Sequence, residues 1–322
     1  MAVSNSSDFT VDRDDILDKA GQLLGIVPEG GTCSANQYTD LAIWLNMMIK
    51  SWQTTGFYLW LMDEIILFPI KDQHLYNLGG SSPSHSTPVS EFVYTSISTE
   101  AESTDTVITV DSIDNIASGD IIGVEVDSQT IHWTTVNGSP SNSEITLTSA
   151  LPDAAAIGNK VYTYTQAFIS KPLKVRYAFR REMEGLTDIP LDIESHENYN
   201  SLSYKFTEGY PLTLYVDPQR DEMQLYVWPV PGQSEMDDLI YMSVQRPVMD
   251  FDSSTDNPDF PQEWYLALAY NLAFYAAPVY GVSDSRFNRI SGVATILKKQ
   301  LEDWSTEDTS FFIQPNTDYD YS

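Results

Sequence analysis

The chain has 322 residues, 42% apolar and 12% aromatic, a composition that builds cores and is not that of a disordered chain. Its 46 acids and 17 bases leave a net charge of −29. That disfavours a free duplex-binding domain or docking on anionic lipid, both of which need Lys and Arg to meet phosphate. Two readings of the charge stand: a surface kept monodisperse by self-repulsion, which composition alone favours, and a channel wall past which DNA slides without sticking.

The single cysteine, Cys33, allows no internal disulfide and no Cys-rich metal site. The residues after Met1 lack a basic and then apolar run, so no signal peptide is predicted, and the sequons at Asn5 and Asn137 read as chance matches. The most apolar stretch, 265–280, is shorter than the ~20 residues a membrane span needs and contains Asn271 and Pro278. It predicts a helix buried in protein, made in a reducing cytoplasm.

Asp12 is placed to cap a first helix reaching Leu24, with Ile16, Leu17, Ala20, Leu23 and Leu24 on one face and Gly25 at its end. Ser34 and Gln37 form a capping-box pattern for a second helix, whose stripe is Tyr38, Leu41, Ala42, Leu45, Met48, Ile49 and Trp52, with Gly56 beyond it. The two predict an antiparallel hairpin packed by ordinary core contacts. Leu59 to Phe68 reads as an apolar strand, and 79–90, rich in Gly, Ser and Pro, as a boundary.

Short alternating runs then follow at 92–97, 106–110, 121–126, 130–136, 144–148 and 160–165, separated by Gly119-Asp120, Asn137-Gly138 and Gly158-Asn159. That spacing predicts a small antiparallel barrel or sandwich. Between 82 and 170 there are eleven acids and one base, Lys160, so the inserted module is very acidic. Lys171, Lys174, Arg176, Arg180 and Arg181 reverse the charge within eleven residues. They are a candidate inter-subunit or DNA-proximal cluster, against the more ordinary reading of pairing with the chain's own acids.

A short helix is predicted at 195–201, a hairpin from 212–217 and 223–229, and a strand at 239–245. After a Pro-containing loop, a helix at 262–277, apolar almost all round, is expected to be central. Pro278 stops it. Asp284 is expected to cap a fourth helix with a seam of Ile290, Ala294, Leu297, Leu301 and Trp304. The acidic end, 305–322, carries Phe311, Phe312, Ile313, Tyr319 and Tyr321 without a period. It reads as a frayed tail or as an arm that docks on a neighbour, and the Phe311–Ile313 run favours docking.

Motifs for catalysis do not emerge. His74, His85, His132 and His196 are far apart in sequence and read as surface histidines. There is no Walker A, GxGxxG or GxSxG pattern. Asp250, Asp252, Asp256 and Asp259 suggest a calcium loop, but Thr255 stands where an EF-hand needs Gly and Pro261 where it needs Glu. Nothing singles out a glycosidase carboxylate pair. The expectation is no enzyme, no cofactor and no metal.

The stretch Asp217-Pro218-Gln219, Leu225-Tyr226-Val227-Trp228-Pro229-Val230-Pro231, Arg246-Pro247, Asp250-Phe251-Asp252, Pro258 to Tyr265, Leu268 to Ala273 and Ala277 to Gly281 resembles the head-to-tail adaptors of short-tailed phages, also called packaged-DNA stabilisation or tail accessory proteins. The amino-terminal hairpin with Trp52 is similar to that family too. The resemblance covers residues 10–70 and 171–304; the module at 91–166 departs from it.

The resemblance implies an α+β chain: a helical bundle core of two amino-terminal and two carboxy-terminal helices with antiparallel strands, and an inserted small β-barrel or sandwich. Residues 1–80 with 167–304 would form the adaptor core, 81–166 the module and 305–322 an arm reaching towards the portal, with Phe311, Phe312, Ile313, Tyr319 and Tyr321 at the portal or subunit interface. It implies a virion structural protein at the head–tail junction, made in the host cytoplasm. The protein would be a homo-oligomeric, dodecameric ring bound to the portal and to tail nozzle, fibre or spike proteins. Genomic DNA would pass through the lumen without specific binding. The alternatives are another tubular neck or tail component and, behind it, a tail-associated carbohydrate-active enzyme.

Overall fold

The computed structural model of the chain describes residues 9–54, 59–165, 169–183, 185–232, 235 and 238–305. The fold is mixed α+β and mostly strand. Its described helices are α1 (Arg13–Leu24), α2 (Ala35–Trp52), α3 (His196–Ser201), α4 (Tyr265–Ala276) and α5 (Asp284–Trp304). The chain divides into two compact units, residues 1–61 with 248–322 and residues 62–247. The strands at 213–245 therefore fold with those of 62–164, whereas the resemblance grouped them with the helices.

Local signals set the helix ends of the first unit. The Asp12 carboxylate accepts from the Asp15 amide at 2.9 Å, and Asp15 accepts from the Asp12 amide at 3.3 Å, which satisfies two otherwise orphaned donors. Gly25 closes α1 in a left-handed conformation (φ 78°) that favours glycine. A side chain there would also collide with Arg286, whose guanidinium donates to Leu24 O at 2.8 Å. Gln37 accepts from the Ser34 amide at 2.7 Å at the start of α2. Gly56 lies outside the described residues.

Helix α4 packs against α1, α2 and α5, as a helix apolar all round must. Leu17, Leu41, Leu45, Leu268 and Leu272 are fully buried around it. Trp52, Trp60, Phe260 and Trp264 form one aromatic cluster with ring centroids 5.0 to 6.2 Å apart. Asn271, buried in α4, donates to Ala267 O at 2.9 Å and across to Ala294 O of α5 at 3.2 Å. Ser283, not Asp284, is the N-cap of α5. Of the expected seam, Ile290 and Ala294 are buried and Leu301 packs on the core, but Trp304 is 63% exposed.

In the second unit the strands are β1 (Met62–Leu67), β2 (Leu75–Gly79), β3 (Ser86–Pro88), β4 (Phe92–Thr99), β5 (Val107–Val110), β6 (Ile121–Glu125), β7 (Ile131–Thr135), β8 (Glu144–Thr146), β9 (Lys160–Tyr164), β10 (Lys174–Glu182), β11 (Thr187–Glu194), β12 (Thr213–Pro218), β13 (Glu222–Trp228) and β14 (Asp238–Gln245). Eight form one sheet in the order β2-β13-β12-β11-β10-β14-β1-β3. Its two edges meet: Ser84, just before β3, exchanges backbone and side-chain bonds with Asn77 of β2 at 2.8 and 3.0 Å. The sheet is thus curled and barrel-like, leaving no long exposed edge there. Alternate residues such as Met223, Leu225 and Val227 fill its interior. The 79–90 segment is therefore not a linker but the seam of this sheet. Strands β11 and β12 pair in parallel, the one departure from antiparallel order among the described strand pairs, and an isolated Glu208–Val230 bridge is parallel too. The intervening chain with α3 is long enough for that crossover.

The other six strands run β7-β6-β9-β4-β5-β8 and curl likewise, because β7 and β8 are joined by a Val136–Leu147 bridge and a 2.9 Å bond from the Thr148 amide to Thr135 O. Ile97, Ile108, Val124, Ile145 and Val161 fill this interior. An aromatic layer joins the two sheets. Phe68 lies 5.0 Å from Trp133 and 5.6 Å from both Tyr162 and Tyr164.

Candidate functional site

The basic run singled out by sequence lies in and just before β10, and its charges are largely spent inside the chain. Arg180, on a central strand, forms a buried pair with Asp238 at the start of β14 and lies 4.5 Å over the Tyr210 ring. Arg181 makes two bonds to Asp188 of β11, at 2.6 and 2.8 Å, and covers Tyr241 at 4.5 Å. That hydrogen bonding raises the Arg181 pKa further and lowers that of Asp188. Lys171 donates to the carbonyls of Gln219 and Arg220, closing the β12–β13 turn. Lys174 and Arg176 sit on the exposed side of β10. For Lys171, Arg180 and Arg181 the intermolecular reading is replaced by intramolecular pairing, because neighbouring strands place acids and carbonyls within reach.

The aspartates of 250–259 likewise serve the loop itself. Asp256 accepts from the amides of Asp252 and Ser253 at 2.8 and 2.6 Å, Asp259 from that of Met249 at 3.1 Å, and Asp250 pairs with Lys50 at 2.6 Å. They diverge into separate local bonds. Among the described residues no group of three His, Cys, Asp or Glu side chains is placed to hold a metal ion.

The histidines part company. His132 is bonded to Ser149 at 3.1 Å on the surface of the small barrel. His85 lies in the aromatic layer, stacked 4.2 Å from Trp133 and 2.6 Å from the Tyr164 hydroxyl, and burial lowers its pKa to about 4. His74 and His196, 122 positions apart in sequence, line one pocket of about 200 Å³ beside the β12–β13 hairpin. There His196 bonds Tyr215 and Asn200, both at 2.8 Å, and Lys205 donates to Asn200 at 2.9 Å. Tyr199, Tyr215 and Tyr226 pack ring on ring 5.2 to 5.4 Å apart. Among the described residues Asp217 is the only carboxylate lining this pocket, whereas glycoside hydrolysis uses a pair. Only the alternation that sends Tyr215 and Tyr226 to one face was visible in the sequence.

A second concavity belongs to the helical unit. It is an open groove of about 730 Å³ between the chain before α1, α1 itself and the first half of α4. Phe9, Ile16, Leu23, Tyr265, Leu266 and Tyr270 line it, and Asp15, Lys19 and Glu29 stand among the lining residues. Three neighbouring helices cannot cover all sides of α4, and Leu266 is left 58% exposed. The signal was in the sequence: α4 has no polar face to turn outward. Two more apolar stripes are exposed in this unit, Ile43 and Met47 on α2 and Val293, Ile296 and Trp304 on α5. Phe311, Phe312, Ile313, Tyr319 and Tyr321, the predicted docking residues, lie outside the described residues, as does Asn5.

No protein-family model matches the chain, and no curated protein matches it.

Proposed function

We propose that the chain is a virion structural protein, a ring-forming head-to-tail adaptor that binds the portal, extends the DNA channel and carries the platform for the tail. In this reading the four long helices form a bundle that is the ring body. The observation that carries it is the pair of unlike apolar stripes on the helical unit, Ile43 with Met47 on α2 and Val293, Ile296 and Trp304 on α5. Exposed apolar stripes of this kind mark partner surfaces. Two different faces on one unit suit head-to-tail contact between copies, which closes into a ring when the rotation allows.

The order of motifs from Asp217 to Gly281 and the net charge of −29 support the same reading. An acidic lumen opposes phosphate sticking at short range, within the ~8 Å over which salt leaves charges unscreened. The barrel at 92–164 is then the contact for tail or spike proteins, and deleting 91–166 should leave the ring but abolish tail attachment.

The test is negative-stain imaging of the purified protein mixed with portal rings of the same particle. A second ring stacked on the portal, twelvefold by count, is expected. Exposed apolar faces on two sides suit another tubular neck or tail component equally, and an intact portal with no added density would select that alternative.

A further inference from the structure

The groove between α1 and α4 is apolar, open and bordered by exposed Phe9 and Leu266. Apolar grooves rimmed by polar side chains are common interaction sites. We propose that the chain covers it with its own carboxy-terminal segment, Phe311-Phe312-Ile313. This does not rest on the adaptor reading, and it puts the chain itself in place of a neighbour as the surface on which the run docks.

Three observations point to that occupant. The segment after Ser305 contains one run of three consecutive apolar side chains, at 311–313, amid acids and hydroxyls. Helix α5 returns antiparallel along α4: Phe287 stacks on Phe274 at 5.6 Å near one end, and Ala294 O meets Asn271 at 3.2 Å midway. Leu301 still packs on the core, so α5 ends beside the start of α4, where Tyr265 and Leu266 line the groove.

Packed helices lie about 8–10 Å apart, which places the groove within roughly two helix widths of Ser305. The six steps from Ser305 to Phe311 span up to about 20 Å when extended. The residues before Phe9 offer only Met1, Ala2 and Val3 as apolar groups, a poorer match to an aromatic-lined groove. Charge does not select the occupant, because Lys19 shares the lining with Asp15 and Glu29. Burial of the two phenylalanines does, and the docking should persist in high salt.

The full-length chain carries the test. Cys33 can stay, since it is buried and burial pushes its thiol up to about 12, leaving it unreactive near neutral pH. Lys19→Cys in the groove is paired with Gln314→Cys beside the triplet, and a short bismaleimide is added to dilute protein. The control pairs Gln314→Cys with Thr39→Cys on α2. Circular dichroism checks that each variant is folded.

The expected result is a crosslink within one chain, with a yield about tenfold or more above the control. Adding Phe312→Asp should lower it by about tenfold or more, because one buried aromatic anchor is lost. Crosslinks between chains, equal yields at residues 19 and 39, or indifference to Phe312→Asp would each overturn the proposal.

Discussion

Removing Asp238 should be among the most damaging single changes in the β unit. Arg180 and Asp238 are 9% and 3% exposed, and they pair diagonally across the central strands β10 and β14. Among the described residues Arg180 Nε has no hydrogen-bond partner. Asp238→Ala leaves that cation buried without its carboxylate, and breaking a buried pair in this way costs about 3–5 kcal/mol. Replacing both partners, as in Arg180→Met with Asp238→Leu, removes the stranded charge and should recover most of the loss.

Urea unfolding followed by a probe of the β unit reads both. With a slope of about 1–3 kcal/mol/M, the single variant should lower the midpoint by more than about 1 M and the double variant by much less. A loss under about 1 kcal/mol for Asp238→Ala, or a double variant no more stable than the single one, would refute the reasoning that burial makes this charge costly.

Three further outcomes follow from the geometry. His85 is held neutral in the aromatic layer at a pKa of about 4, against an ordinary 6.5. The unfolded chain therefore takes up the proton first. Stability should be full above pH 6.5 and decline towards pH 4, by about 1–2 kcal/mol after discounting for partial exposure. Acid titration of the melting temperature should lose that component in His85→Phe. Gly79→Ala should destabilise by more than about 1 kcal/mol in thermal melts, because its φ is 73° and a Cβ would stand 2.6 Å from the Lys171 backbone nitrogen. Leu45→Ala, fully buried in the helical core, should cost about 2–5 kcal/mol in the helical unit, read by circular dichroism during urea unfolding.

Much of the local structure was legible because local signals coincided. Asp12 and Gly25 bracket α1, the Ser34–Gln37 box starts α2, and the turn pairs Gly119-Asp120 and Gly158-Asn159 fall between strands as expected. The alternation of 92–164 matched its strands within one or two residues.

What was not legible depended on distant partners. Ser86–Pro88 is a strand only because β1 accepts it, and Gly79 and Gly80 look like linker residues until Asn77 meets Ser84. Lys174 to Glu182 was read for its charge, which masked the alternation of a strand whose Ala178 and Arg180 both point inward. Arg180 then sits in the interior only because Asp238 waits there. The His74–His196 pocket forms where two sheet neighbours bring residues together across more than a hundred positions, a separation no spacing rule spans.

The division of the chain also has a consequence for its synthesis. Trp52 ends α2 and Tyr265 begins α4, so the 212 residues 53–264 must be translated between the two halves of one helical core. At about 5–20 residues per second, the stripe of Leu41, Leu45, Ile49 and Trp52 waits roughly 10–40 s on the ribosome before the helix that buries it exists. The β unit lies wholly within that interval and can fold in it. The amino-terminal helices are therefore the part of the nascent chain most in need of a chaperone, and slowing translation should lower the yield of the helical unit before that of the sheets.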